Sequence, residues 1–485
     1  MRYMLLSVMM LTPLAACTVG PDYERPAVAG ADAGWVSEAG AGVVDGAVDL
    51  EPWRAVGDPL LVELVERAAL ANLDVAQAEA RLREARAGRD AAAGRRLPEA
   101  SATASGTRQR LSENGQLPVA NIPGFDREFS LFDAGFDASW EIDLWGGARR
   151  AVEAAGYRVE LAQAQQRETQ LRVVAEVVRS YAELRGAQAE AATLRADAQA
   201  QRRIATLVRQ RYETGEAARF DDARADAQAR AAEAALPGAE ARIRAAAYAL
   251  ALLTAQPPEA MADRLLTPAP VPRPPELAVA GLRSDMLRRR PDVAMAEARL
   301  AAATADVGVE TANLFPRLSL IGSIGQQARS TGDLDSSGST RFQFGPSLHW
   351  PIFSGGRIRA QIRAADARKD GAAAAYEQAV LGALSDSETA LNRYAATVSA
   401  ARELRIARDR AATALDLARQ RHDAGEDDAI ALMDATIRYT AAARAADSAD
   451  VAAFEAHAAL VKTLGGGWSQ ADTPGDISSG LTGGG

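Results

Sequence analysis

An α+β chain built from two similar halves is the fold class that the 485-residue sequence predicts, on three observations. The run Arg209-Gln210-Arg211-Tyr212-Glu213-Thr214-Gly215-Glu216 returns 210 residues later as Arg419-Gln420-Arg421-His422-Asp423-Ala424-Gly425-Glu426. In each half one segment alternates apolar and polar residues with period two. Each half also holds a long alanine-rich stretch free of proline. The apolar fraction is 48% but aromatics are only 5%, so helices are expected to meet through thin contacts rather than bulky cores.

The N-terminus comes first in chain order. Arg2 followed by the short apolar run Met4–Leu14 has the form of an export signal, too short to span a bilayer. Leu14-Ala15-Ala16-Cys17 has the small-residue pattern of a bacterial lipobox, which makes Cys17 the expected lipid attachment site and first mature residue. Two or three acyl chains anchor a protein firmly, at about 0.8 kcal/mol per buried CH₂. The chain then divides into a signal peptide (1–16), a lipidated N-terminal segment (17–57), a first repeat (58–256), a Pro-rich linker (257–281), a second repeat (282–467) and a C-terminal tail (468–485) expected to be flexible.

Each repeat offers one β-hairpin. Phe132, Ala134, Phe136, Ala138, Trp140, Ile142 and Leu144 alternate with Asp133, Gly135, Asp137, Ser139, Glu141 and Asp143. In the second repeat Phe342, Phe344, Leu348, Trp350 and Ile352 alternate with Arg341, Gln343, Ser347 and His349. Residues 100–111 and 317–329 are the expected partner strands. Strands of this length exceed the ~9–11 residues that cross an outer membrane, and one greasy face opposite one polar face suits lipid against water. Four strands cannot close a barrel and open edges are not tolerated in lipid, so membrane-embedded hairpins require several copies; three give twelve strands.

The helices follow. Ala148–Thr214 and Arg357–Asp423 would each reach roughly 100 Å at 1.5 Å per residue. Leu171, Val174, Val178 and Tyr181 recur at three-four spacing, and Leu384, Leu391 and Val398 at seven. Gly215 and Gly425 interrupt the pattern, and return helices are predicted over Asp221–Leu253 and Asp428–Leu464, the first with a break and bend at Pro237-Gly238.

Several function classes lack residues to carry them. The net charge of −9, with basic residues interleaved among acidic ones, excludes a nucleic-acid surface. One cysteine allows no intrachain disulfide or cysteine-cluster metal site, and His349, His422 and His457 lie too far apart for ligand spacing. Four of the eight methionines lie in the signal, which leaves metal export without support. No nucleophile–base motif or phosphate loop points to an enzyme.

With these elements placed, the sequence resembles the TolC-like outer-membrane factor family, in its lipoprotein (NodT-type) branch of multidrug efflux channels. The resemblance rests on Cys17-Thr18-Val19-Gly20-Pro21-Asp22-Tyr23, Asp143-Leu144-Trp145-Gly146 and Arg289-Arg290-Pro291-Asp292 with Ala296-Glu297. It continues through Phe315-Pro316, Trp350-Pro351-Ile352-Phe353-Ser354-Gly355-Gly356 and Leu464-Gly465-Gly466-Gly467-Trp468, in that order.

The resemblance implies a homotrimeric outer-membrane channel. Four strands per protomer form a twelve-strand barrel, the helices form a periplasmic α-helical barrel, and the assembly is lipid-anchored in a Gram-negative bacterium. It implies a periplasmic adaptor and an inner-membrane pump, proton-driven, as partners, contact with outer-membrane lipid, and no cofactor beyond the covalent lipid on Cys17. By the same resemblance Gly215, Glu216, Gly425 and Glu426 match the adaptor-contact tips. Asp434 matches a constricting acidic position, Ile430 an apolar ring one turn earlier, and Asp221 a position linking neighbouring helices when the pore is shut. Asp427 stands where a basic latch partner is usual, and His422 where an aromatic is common. Three carboxylates drawn to about 8 Å would repel pairwise by roughly 0.5 kcal/mol at the dielectric of water and about 2 at an effective dielectric of 20.

Two alternatives stand beside this reading. One is the outer-membrane component of type I protein secretion, which shares the fold. The other is a non-channel coiled-coil lipoprotein scaffold with its hairpins paired into a soluble cap.

Overall fold

The computed structural model describes residues 18–28, 30–31, 33–36, 43–44, 51–112, 126–275, 278–279 and 281–466. The expected signal, Cys17 and the expected tail 468–485 lie outside the described residues, as do Gly467 and Trp468. The chain divides into two compact units. The first comprises residues 1–26, 82–162 and 296–376, and the second 27–81, 163–295 and 377–485.

The first unit carries a four-stranded antiparallel sheet of β1 (Glu99–Arg110), β2 (Glu128–Ile142), β3 (Arg317–Ala328) and β4 (Thr340–His349), in that spatial order. The β1–β2 and β3–β4 hairpins come from the two repeats, and the β2–β3 pairing joins them in register from Phe132↔Ala328 to Ile142↔Leu318. Period-two alternation therefore lines up across all four strands. The predicted second-repeat strand ran to Ile352, but β4 ends at His349. Pro351 has no N–H to continue the ladder, and Ile352 N donates instead to Trp350 O at 2.9 Å.

Helices account for most of the rest: α1 (Pro59–Ala71), α2 (Leu73–Gly94), α3 (Gly147–Glu213), α4 (Arg219–Leu253), α5 (Pro258–Leu265), α6 (Arg283–Arg289), α7 (Pro291–Ala312), α8 (Arg357–Asp423) and α9 (Ala429–Thr463). The long proline-free stretches become α3 and α8, each 67 residues. No described helix is long and apolar enough to cross a membrane.

The core of the second unit sits where α1 and α5 pack on α3 and α4. Leu61, Leu64 and Val65 of α1 meet Val174, Val177, Val178, Tyr181 and Leu184 of α3, with Ile243 and Leu250 of α4 and Met261 and Leu265 of α5. The three-four spacing that predicts a packed face on α3 is thus realised. Asp58 caps α1 by accepting from Leu60 N at 3.0 Å, and Tyr181 Oη donates to the same carboxylate; such a cap contributes ~1 kcal/mol.

Two expectations need correction. Part of the Pro-rich stretch is not a connector, because α5 folds within it and buries Met261 and Leu265. Arg185 and Gln188 of α3 fix its far end by donating to Thr267 O and Leu265 O at 2.9 and 2.8 Å. Nor does Pro237-Gly238 break the return helix, since α4 runs through it uninterrupted. Both residues are exposed, so the carbonyl that loses its helical partner to Pro237 is free to bond water.

Candidate functional site

The two faces of the sheet differ in chemistry, one dominated by large apolar side chains and the other by polar ones, with Leu131 and Ile321 on the polar face and Gln326 and Thr340 on the apolar one. Phe132, Phe136, Trp140, Leu320, Ile324, Phe342, Phe344 and Leu348 fall on one face by register. There Phe136, Phe342 and Phe344 are 67%, 70% and 82% exposed. The other face carries Ser101, Thr103, Asp133, Asp137, Glu141, Gln327 and Arg341. Arg341 reaches across β3 to pair with Asp133 through Nε at 2.7 Å, and Gln327 donates to the same carboxylate at 2.8 Å. Gly135 and Gly325 face each other beneath this bridge, and a Cβ on either would overlap the opposite backbone. Lipid on the first face and water on the second is the arrangement that satisfies both.

One end of the sheet is collared by tryptophan. The indole N–H groups of Trp140, Trp145 and Trp350 donate to the carbonyls of Arg96, Pro316 and Leu314 at 2.8, 2.9 and 3.1 Å. Trp145 also stacks on Phe315 at 4.6 Å, so two motifs distant in sequence meet here. Rings with an apolar body and a bonded polar edge suit a membrane–water boundary. Asp143 starts α3 beside this collar, accepting from Ala148 N and Arg149 N at 3.2 and 2.9 Å.

The segment just after Cys17 is tied to the same collar. Val19 N donates to Trp145 O at 3.1 Å, and Gly146 has no room for a Cβ beside Thr18. Buried Arg150 donates to Val19 O at 3.3 Å and to Asp22 at 2.6 Å. Gly20, at φ +94°, lies against the backbone of Gly308. Arg25 Nε donates to Glu297 at 2.7 Å, and Tyr23 Oη adds a bond at 3.2 Å. Burial first, then the charge of Glu297, pushes the Tyr23 hydroxyl well above the usual phenol range. The Arg-Arg-Pro-Asp motif is a second tie, in the other unit: Arg290 clasps Asp292 at 2.9 and 2.7 Å and donates to Thr463 O at 3.2 Å at the end of α9.

The helical turns of the two repeats share one backbone and differ in chemistry. At the first, Gly215 at φ +83° donates to Tyr212 O and Glu216 N donates to Arg211 O at 2.8 Å. At the second, Gly425 at φ +79° donates to His422 O and Glu426 N donates to Arg421 O at 2.9 Å. Both close a helix by the paired bonds of a Schellman turn, which requires the left-handed conformation at the glycine. The first turn is flanked by Arg211, Tyr212, Glu213, Glu216, Arg219 and a 72% exposed Phe220. The second is flanked by Asp423, Glu426, Asp427 and Asp428. Arg421 holds Asp427 at 2.9 Å, and His422 Nδ1 lies 3.2 Å from Asp427 O. The position lacking the usual basic partner is thus engaged within its own turn.

The other expected gate residues lie on the return helices. Asp221 stands in the first turn of α4 and accepts from Ala218 N at 3.3 Å. Ile430 is half-buried against the cluster of Ile204, Val208, Ala225 and Met433. Asp434 is exposed and lies 3.4 Å from Arg224 Nη2. Sequence reasoning missed Arg224, although the 210-residue offset marks it: Arg224 is the first-repeat equivalent of Asp434, as Phe220 is of Ile430.

Comparison with known proteins gives a consistent set of similarities. The family described as "Outer membrane efflux protein" matches residues 64–256 and 282–466. The pyoverdine export outer membrane protein OpmQ of Pseudomonas aeruginosa is 32% identical over 425 residues, covering 87% of this chain and 88% of its own. Outer membrane protein OprJ of the same species is 32% identical over 475 residues, 94% of each chain. The solved outer-membrane channel OprN is 34% identical with a TM-score of 0.83, covering 93% of this chain and 99% of its own.

Proposed function

Since the chain belongs to the outer membrane efflux protein family, we propose that three copies close a twelve-strand barrel as the exit duct of a tripartite efflux system. The duct stands in the outer membrane of a Gram-negative bacterium and passes small molecules such as drugs outward. The observation that carries this reading is the four-stranded sheet with large apolar side chains exposed on one face, charged and hydroxyl groups on the other, and two unpaired edge strands. A soluble cap would leave Phe342, Phe344 and Leu348 in water, whereas lipid covers them. Three copies pair β4 of one with β1 of the next and leave no edge.

In this reading an inner-membrane pump, proton-driven, supplies the energy, and the duct carries out no chemistry and binds no cofactor. A periplasmic adaptor docks on the turns at Gly215-Glu216 and Gly425-Glu426. Asp434, with Ile430 and Asp221 on the same pair of return helices, governs passage near those turns. Cys17 carries the lipid, and the tight seating of Thr18–Asp22 beside the tryptophan collar supports an anchor held at the membrane boundary.

The test is reconstitution. Purified mature protein in mild detergent is expected to run as a trimer and to pass discrete current steps in a planar bilayer. A monomer that passes no current would overturn the reading.

A further inference from the structure

The second unit holds a groove of about 890 Å³ floored by α3 and walled by α4 and α9. It opens on the side of α3 opposite the core. Val177, Tyr181 and Leu184 face α1 and α5, Glu183, Gly186 and Glu190 lie well round the helix from them at about 100° per residue, and Ala187 borders both the core and the groove. The groove ends where α3 and α9 close on each other, at Gly186, whose missing Cβ leaves room for Val451.

The lining has two kinds of surface. Ala187, Ala245, Ala246, Ala249, Ala441 and Ala445 make smooth apolar walls, and small side chains give the groove its width. The charges are arranged unequally. Glu190 is held by two guanidinium groups, Arg444 at 2.7 Å and Arg242, so its charge is more than matched. Burial would raise its carboxyl, but hydrogen bonds from Arg444 and Arg242 bring it below the usual range. Glu183 is taken by Arg179.

Asp447 differs. It is half-buried, it accepts from the Thr193 hydroxyl at a long 3.4 Å, and among the described residues no cation comes within ion-pair distance. Arg408, the cation whose charge it feels, is engaged by Asp409 at 2.8 Å. Burial pushes the Asp447 carboxyl up, against the pull of Thr193 and Arg408 and with added repulsion from Asp450 and Glu190.

We propose that this groove binds an organic cation, with Asp447 receiving the positive charge and the alanine walls covering the apolar body. The arginines on Glu190 stand on the same lining and disfavour an organic anion. A half-buried carboxylate without a counter-ion gains most from a weakly hydrated charge that brings its own apolar surface, and a small inorganic ion brings none. The site uses residues of one chain and does not depend on the exit-duct reading, so the two can fail separately.

The experiment titrates tetraphenylphosphonium into the purified full-length protein in a non-ionic detergent and follows the heat. The expected result is saturable binding that weakens about tenfold in Asp447→Asn, the loss of one partly buried ion pair. Binding should weaken similarly in Ala445→Leu, which fills the groove and leaves every charge in place. Tetraphenylborate, of the same shape and opposite charge, titrated in a separate experiment, is expected not to bind. Circular dichroism and size exclusion against the wild type report whether each variant still folds and assembles. Should Asp447→Asn fail to assemble, Ala445→Leu carries the test alone. Equal affinity in the wild type and the assembled variants, equal binding of the borate, or no saturable binding by the wild type overturns the proposal.

Discussion

Arg224 and Asp434 are one position of an ancestral repeat written with opposite charges, and they now face each other at 3.4 Å. Both are exposed, so the pair adds little to stability, in the range of about 0–1 kcal/mol for surface ion pairs. Its effect belongs to the electric field near the turns. Removing the acid by Asp434→Ala is expected to lower cation preference, and removing the base by Arg224→Ala to raise it. Each change in permeability ratio should be up to about fivefold, the equivalent of ~1 kcal/mol. Reversal potentials across a salt gradient measure this, and two variants shifting in the same direction would remove the pair from the conduction path. At this scale the sequence was half legible. The carboxylate was marked by the resemblance, but its partner needed the repeat offset applied to every position rather than to the turn alone.

Elements were more legible than contacts, because periodicity records which face a residue occupies and little else. Alternation from Phe132 to Ile142 placed β2, and the absence of proline placed α3 and α8. Where the reading went astray, proline was the cause each time. It ended β4 early at Pro351, it disguised α5 as part of a linker, and inside α4 it was read as a break. Pro tolerates the first turn of a helix, as Pro258 does in α5, and an exposed interior position where water bonds the stranded carbonyl. Replacing Pro237 with alanine restores an amide donor to the Glu233 carbonyl and is expected to stabilise α4 by about 1–3 kcal/mol. Hydrogen exchange of the amides from 234 to 241 reads this directly; unchanged protection would mean that α4 already bears no strain there.

For the whole molecule, the duplication explains why one chain offers two hairpins and two helical turns, and why β2 must pair with β3 to join them. Assembly then depends on the edges and faces of the four strands, and a lipid on Cys17 would be no part of it. Cys17→Ser is accordingly expected to give a trimer with unchanged single-channel current and no attached lipid. Mass spectrometry of the mature N-terminus checks this, and acyl mass on that variant would refute Cys17 as the attachment point.

The paired turns have a consequence for symmetry. A ring of three chains would present six glycine turns that are alike in backbone and alternate between an aromatic rim, where Arg211 and Arg219 balance Glu213 and Glu216, and an acidic one. A docking protein that grips main-chain shape meets a sixfold array, whereas one that grips side chains meets a threefold array of unlike pairs. Identical subunits docking on all six turns through side chains would have to adopt two postures in alternation.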